Sequence, residues 1–114
     1  MTYNLMRRAF RWLTNLFTRQ PPVYRTAFME ELPERLDKHL IYILGEGEYT
    51  WSAEMLCPCG CGEVLHMSLH PDGRPRWELT RHPDGTVSLS PSVWRKVGCR
   101  SHFFLERGRV RWCK

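Results

Sequence analysis

Cys57-Pro58-Cys59-Gly60-Cys61-Gly62 is answered further along the chain by Cys99-Arg100-Ser101-His102. Thiolates and an imidazole gathered in two short pieces are the ligand chemistry of a tetrahedral Zn²⁺ site. The glycines fit that chemistry, because tight glycine turns aim backbone N–H groups at thiolates. One tetrahedral ion takes four ligands, and Cys57, Cys59, Cys61, Cys99 and His102 offer five, so one is spare. Sulfur-rich tetrahedral sites also accept iron. If two cysteines, His102 and a water held the metal, Glu63 would stand beside it as a base. An all-cysteine site is instead closed and structural, and leaves His102 free for other work.

Serine chemistry is the second possibility. It needs a nucleophile, a base and an orienting acid that meet in space. Ser101 and His102 are sequence neighbours, but neighbours on an extended strand point to opposite faces. Ser92, in Leu89-Ser90-Pro91-Ser92-Val93, sits at the exit of a strand and can face His102 across a sheet. Asp84, Glu78 and Glu106 are the acids that could orient such a histidine, and the sequence does not rank them.

The elements that must hold these residues are strands and turns. Val23–Phe28 reads as a short strand and Glu30–Lys38 as a polar turn or short helix. His39–Leu44, Tyr49–Leu56 and Val64–Leu69 read as further strands around the first cysteine loop. His70-Pro71-Asp72-Gly73 recurs as His82-Pro83-Asp84-Gly85. Pro-Asp-Gly is turn chemistry, so both histidines are read as turn residues and not as ligands. Arg76–Arg81 and Thr86–Ser90 are then two arms of a hairpin. Phe103–Glu106 and Arg109–Trp112, joined at Arg107-Gly108, make the last one. The fold class is mainly β: a small antiparallel β domain with a zinc-ribbon-like metal site and an N-terminal amphipathic helix.

That helix is read over residues 3–19, as a segment distinct from the β domain of residues 22–114. Leu5, Met6, Ala9, Phe10, Leu13, Leu16 and Phe17 share one side by their spacing, and Pro21-Pro22 ends it. Its arginines give it three uses: packing on the body, docking on a partner or second copy, or lying on an anionic membrane surface. It is too short and too interrupted by Arg to span a bilayer. Most of the net charge of +5 belongs to this segment. Residues 1–20 hold four Arg and no acid, which leaves 13 basic against 12 acidic side chains elsewhere. A nearly neutral body argues against a nucleic-acid-binding face.

At 114 residues the chain makes one domain with a modest core, for which a metal staple is useful. The cysteine count is odd, and arginines interrupt the N-terminal apolar stretch that a secretory signal would need. Both point to a reducing compartment, where clustered cysteines mean metal or catalysis. Cys113 reads as a free thiol, or as a small apolar residue on the last strand.

Taken together, Leu56-Cys57-Pro58-Cys59-Gly60-Cys61-Gly62, Val87-Ser88-Leu89-Ser90-Pro91-Ser92-Val93 and Cys99-Arg100-Ser101-His102-Phe103-Phe104-Leu105 resemble one small bacterial family. It is the BubE-like proteins, encoded in bacterial ubiquitin-like (Bub) operons beside E1-like, E2-like and ubiquitin-like proteins. The resemblance spans residues 22–113 and leaves out the N-terminal helix. It implies a serine-type peptidase or deconjugating enzyme acting on a ubiquitin-like protein, in the bacterial cytoplasm and in a setting of antiphage defence. It implies Cys57, Cys59, Cys61 and Cys99 as structural Zn²⁺ ligands, and Ser92, Ser101 and His102 as the polar motif positions. The implied partners are the ubiquitin-like protein and the E1- and E2-like enzymes. Two competing classes are a non-catalytic zinc-ribbon adaptor for those partners and a nucleic-acid-binding zinc ribbon.

Overall fold

The computed structural model describes residues 22–113. The N-terminal helix expected over residues 3–19 lies outside the described residues. Among the described residues there are eight strands and no helix. They are β1 (Arg25–Met29), β2 (Leu40–Glu46), β3 (Tyr49–Leu56), β4 (Val64–Ser68), β5 (Glu78–Arg81), β6 (Val87–Trp94), β7 (His102–Glu106) and β8 (Arg109–Trp112). They form two four-stranded sheets, β1-β2-β3-β4 and β5-β6-β7-β8.

Alternation along the strands turns one side of each sheet inward. Ile41, Ile43, Ala53, Met55, Leu65 and Met67 of the first sheet meet Val87, Leu89, Val93, Phe103 and Leu105 of the second in one apolar core. β2 is buried on both faces from Ile41 to Leu44, as its near-continuous apolar run demands. The hydroxyl of Tyr42, on its other face, accepts a bond from Asp37 N at 2.8 Å. That bond ties the irregular connection over residues 30–39 to the sheet.

Three features depart from the sequence reading. β1 and β2 are parallel, with Arg25 opposite Leu40 and Met29 opposite Leu44, so the first sheet is mixed. Residues 30–39 make this possible: they give the chain enough length to return to the same end before β2 begins. They contain turns and bends and no short helix. Second, β6 does not stop at Ser90 but continues through Pro91 to Trp94. Pro91 lacks an N–H, and it is tolerated because it sits in an irregularity of the ladder. Third, the cysteine pieces do not cap a single ribbon. Residues 57–63 leave the first sheet between β3 and β4, and residues 95–101 connect β6 to β7 in the second.

Both His-Pro-Asp-Gly repeats are turns, closed by Gly73 N to His70 O and by Gly85 N to His82 O, each 3.0 Å. The second joins β5 to β6 as expected. The first lies in the link that carries the chain from one sheet to the other.

The chain entry is tied to the far end of the fold. Tyr24 N donates to Gly108 O at 2.6 Å, and Gly108 N donates to Val87 O at 2.9 Å. Gly108 has φ +75, and a Cβ there would lie 2.8 Å from Tyr24 O and 3.0 Å from Val23 Cγ1. Gly108→Val therefore meets both a strained backbone and a crowded one. Urea unfolding should show a loss of about 1–3 kcal/mol; an unchanged midpoint would remove this tie from the account.

Candidate active site

The site grows from the pairing of β6 with β7. Leu89 stands opposite Leu105 and Val93 opposite Phe103, so Ser90, Pro91 and Ser92 together face only Phe104. The extra residues bow out as a bulge. Leu89 and Val93 still both point into the core, where they are 3% and 4% exposed. The Ser90–Pro91 peptide within the bulge is cis. The indole N–H of Trp77 donates to Ser92 O at 3.3 Å and holds the bulge from the side of β5.

Beyond the bulge Trp94 stands opposite His102. The bond from Arg95 N to Ser101 O, 2.8 Å, flanks this pair and makes it a non-hydrogen-bonded one. Such pairs bring side chains closest across an antiparallel ladder. The indole and imidazole accordingly stack, with centroids 4.9 Å apart and planes at 17°. Ser92 precedes Trp94 by two residues and shares its outward face. The two strands thereby bring Ser92 Oγ to 2.8 Å from His102 Nε2. In the tautomer with its proton on Nδ1, the imidazole accepts this bond from the serine hydroxyl. A hydroxyl and an imidazole placed this way can act as a nucleophile and its base.

Ser101 is not brought to the imidazole. It points the other way, is 6% exposed, and its Oγ lies 3.1 Å from Cys99 Sγ and 3.5 Å from Cys57 Sγ. The three acids considered as orienters are all engaged elsewhere. Asp84 Oδ1 accepts bonds from Thr86 N (3.0 Å) and Thr86 Oγ1 (2.6 Å) within its turn. Glu106 holds Arg111 through two bonds of 2.9 and 3.3 Å. Glu78 lies 3.8 Å from Arg76. Among the described residues no carboxylate bonds to His102.

The sulfurs of Cys57, Cys59, Cys61 and Cys99 all lie within 4.8 Å of one another. Cys57 Sγ is 3.3 Å from Cys59 Sγ and 3.6 Å from Cys99 Sγ. A tetrahedron with metal–sulfur bonds of about 2.3 Å has edges of about 3.8 Å, so the donor set fits one ion. His102 is the spare ligand candidate, since its ring is on Ser92. Gly60 (φ +89) and Gly62 (φ +86) supply the left-handed turns that wrap the loop. Cys57 is buried and its N donates to Glu63 O at 2.8 Å.

The thiols differ in their readiness to ionise. The Ser101 hydroxyl, with the Ser101 N–H, brings Cys99 down to about 6. Burial pushes Cys57 up to about 11. A bound cation would offset that burial, since a positive neighbour favours the thiolate. The Arg95 guanidinium adds to this from outside, 3.4 Å from Cys99 Sγ and 3.6 Å from Cys61 Sγ. Cys113 stands apart from the cluster, half-buried and free.

Trp94, Trp77 and Arg95 escaped the sequence reading. Trp94 was within reach of it, because two-residue spacing from Ser92 already places both on one face. Arg95 gave no signal, since a loop residue's reach depends on the folded path.

A family model described as "Bacterial ubiquitination-like system serine protease (BubE)" matches residues 28–113. The chain belongs to the BubE family. The match takes in both the Ser92–His102 pair and all four clustered cysteines. The BubE family is thus named for a serine protease of a bacterial ubiquitination-like system. No curated protein and no solved structure matches the chain. No helix among the described residues is long and apolar enough to cross a membrane.

The cluster should take up one divalent ion per chain. Titration with Co²⁺ should give the visible bands of tetrahedral thiolate coordination. Cys99→Ser should weaken binding and lower the unfolding midpoint, while Cys113→Ser should leave both in place. Equal effects of the two changes would contradict the four-sulfur assignment.

Proposed function

We propose that this chain is a peptidase or deconjugating enzyme acting on a bacterial ubiquitin-like protein, with Ser92 as nucleophile and His102 as general base. The observation that carries this reading is the 2.8 Å approach of Ser92 Oγ to His102 Nε2, on a sheet face separate from the cysteine cluster. The family's description as a serine protease of a ubiquitination-like system supports the same substrate class.

His102 Nε2 takes the hydroxyl proton as Ser92 Oγ attacks the carbonyl that joins the ubiquitin-like tail to its leaving group. The imidazolium then gives that proton to the departing amine or alkoxide, and the tail remains on Ser92 as an ester. Water, deprotonated by the same nitrogen, releases it. These steps need His102 neutral at the start, and they need it unligated.

The metal in this reading is a structural Zn²⁺ held by Cys57, Cys59, Cys61 and Cys99. When bound it closes the loop between β3 and β4 onto the loop that enters β7. Ser101 binds the sulfurs and precedes His102 directly, so the closed cluster fixes where β7 begins. A four-thiolate site has no open position for substrate, which assigns the chemistry to the serine. The ubiquitin-like protein is the partner, met in the bacterial cytoplasm. The E1- and E2-like enzymes of the same system supply the conjugates it would reverse.

The test is cleavage of a ubiquitin-like protein of such a system carrying a C-terminal extension, or of its conjugate. Ser92→Ala and His102→Ala should each lower kcat/KM by about 10⁴-fold or more. Ser101→Ala should stay within about tenfold of the parent and show its defect in metal retention. If wild type leaves both substrates intact, or if Ser92→Ala still cleaves them, the proposal fails.

A further inference from the structure

A histidine that serves a serine must be held in one orientation, a task usually given to a buried carboxylate on its second nitrogen. Here Asp84, Glu106 and Glu78 are committed to Thr86, Arg111 and Arg76, and no carboxylate of the described residues reaches His102. The ring is instead bounded by aromatic faces. Trp94 stacks on it at 4.9 Å and 17°, and Phe104 lies tilted at 6.5 Å and 31°.

We infer that Trp94 is the positioning residue of this site, holding His102 by its indole face where an acid would otherwise hold it by a hydrogen bond. The inference rests on the Ser92–His102 reading and goes one step past it.

The stack is set by the backbone and not by chance contact. Trp94 and His102 occupy a non-hydrogen-bonded pair, where facing side chains are nearest. Trp94 is 57% exposed, so little of its ring is spent on the core. Its indole is steadied in turn by Lys96, whose Nζ lies 5.3 Å from the ring centroid. Arg111 does the same for Phe104, with Cζ at 4.5 Å. A free imidazole samples about three χ1 wells and two ring orientations, or about six arrangements. The one stacked on Trp94 presents Nε2 to Ser92. The stack therefore removes unproductive rotamers, which is an effect on the fraction of competent sites.

The test uses a fluorophosphonate probe, which reads activation of Ser92 without depending on how a protein substrate docks. Ser92 Oγ attacks phosphorus, fluoride leaves, an O–P bond replaces the P–F bond, and His102 receives the proton. The labelling rate constant at saturating probe should fall about sixfold in Trp94→Leu, which keeps apolar bulk but has no ring. Trp94→Phe should return it to within about threefold of wild type. The carbon-bound ring protons of His102 should show an upfield ring-current displacement in NMR spectra of wild type, and lose it in Trp94→Leu. Wild-type labelling in Trp94→Leu, or His102 signals with no such displacement, would overturn the inference. If wild type is labelled at Ser92 and depends on His102 while Trp94→Leu is unaffected, the serine mechanism stands and only the role of Trp94 falls. If wild-type Ser92 is not labelled at all, both fall together.

Discussion

The pairing of β6 with β7 is the constraint on which the rest depends. Three residues of β6 are set against one of β7, between two positions that must face the core. Because Leu89 and Val93 are both anchored inside, the surplus can go only outward. It carries Ser92 onto the exposed face beside His102. The same register places Trp94 directly opposite His102. The proposed nucleophile, its proposed base and the ring that borders it thus arise from one local pairing. A slip of a single residue would turn Ser92 and Trp94 into the core and expose Val93.

That pairing is held at both ends. At one end Gly108 joins the turn between β7 and β8 to the entering chain and to Val87. At the other stands the cysteine cluster. Its two pieces come from different sheets, so binding an ion there ties the sandwich together where β7 starts. The sulfurs also take up Ser101 and Arg95, the next rung of the ladder beside the Trp94–His102 pair, and these two are themselves joined by the bond from Arg95 N to Ser101 O. In the proposed function, a closed four-sulfur site here would brace the chemistry without taking part in it. On that reading metal removal should weaken the fold and loosen the base.

Much of this was legible in the sequence, and for identifiable reasons. Tyr49–Leu56 and Arg109–Trp112 alternate cleanly, the first between glycine-containing turns and the second straight after Arg107-Gly108, so they were visible as strands. The repeated Pro-Asp-Gly marked turns because its chemistry is local. The opposition of Ser101 and His102 came from strand geometry, and so did the possibility that Ser92 faces His102. The parallel partner of β1 was not legible, since pairing direction is decided by the path of residues 30–39. The continuation of β6 past Pro91 was hidden too: a proline in a strand reads as its end unless a bulge is known to be there. The spare ligand could not be chosen from spacing, because the choice depends on which way the chain leaves Cys99. The absence of an acid at His102 among the described residues was equally beyond reach, as each candidate's alternative partner appears only in the folded chain.

The most direct measurement is capture of the covalent intermediate. A C-terminally extended ubiquitin-like protein is mixed with the enzyme, quenched in acid during turnover, and the enzyme is mapped by mass spectrometry. The account predicts an ester of the ubiquitin-like tail on Ser92, absent from the His102→Ala enzyme. An adduct on Ser101 or on a cysteine, or sustained turnover with no adduct on any residue, would contradict it.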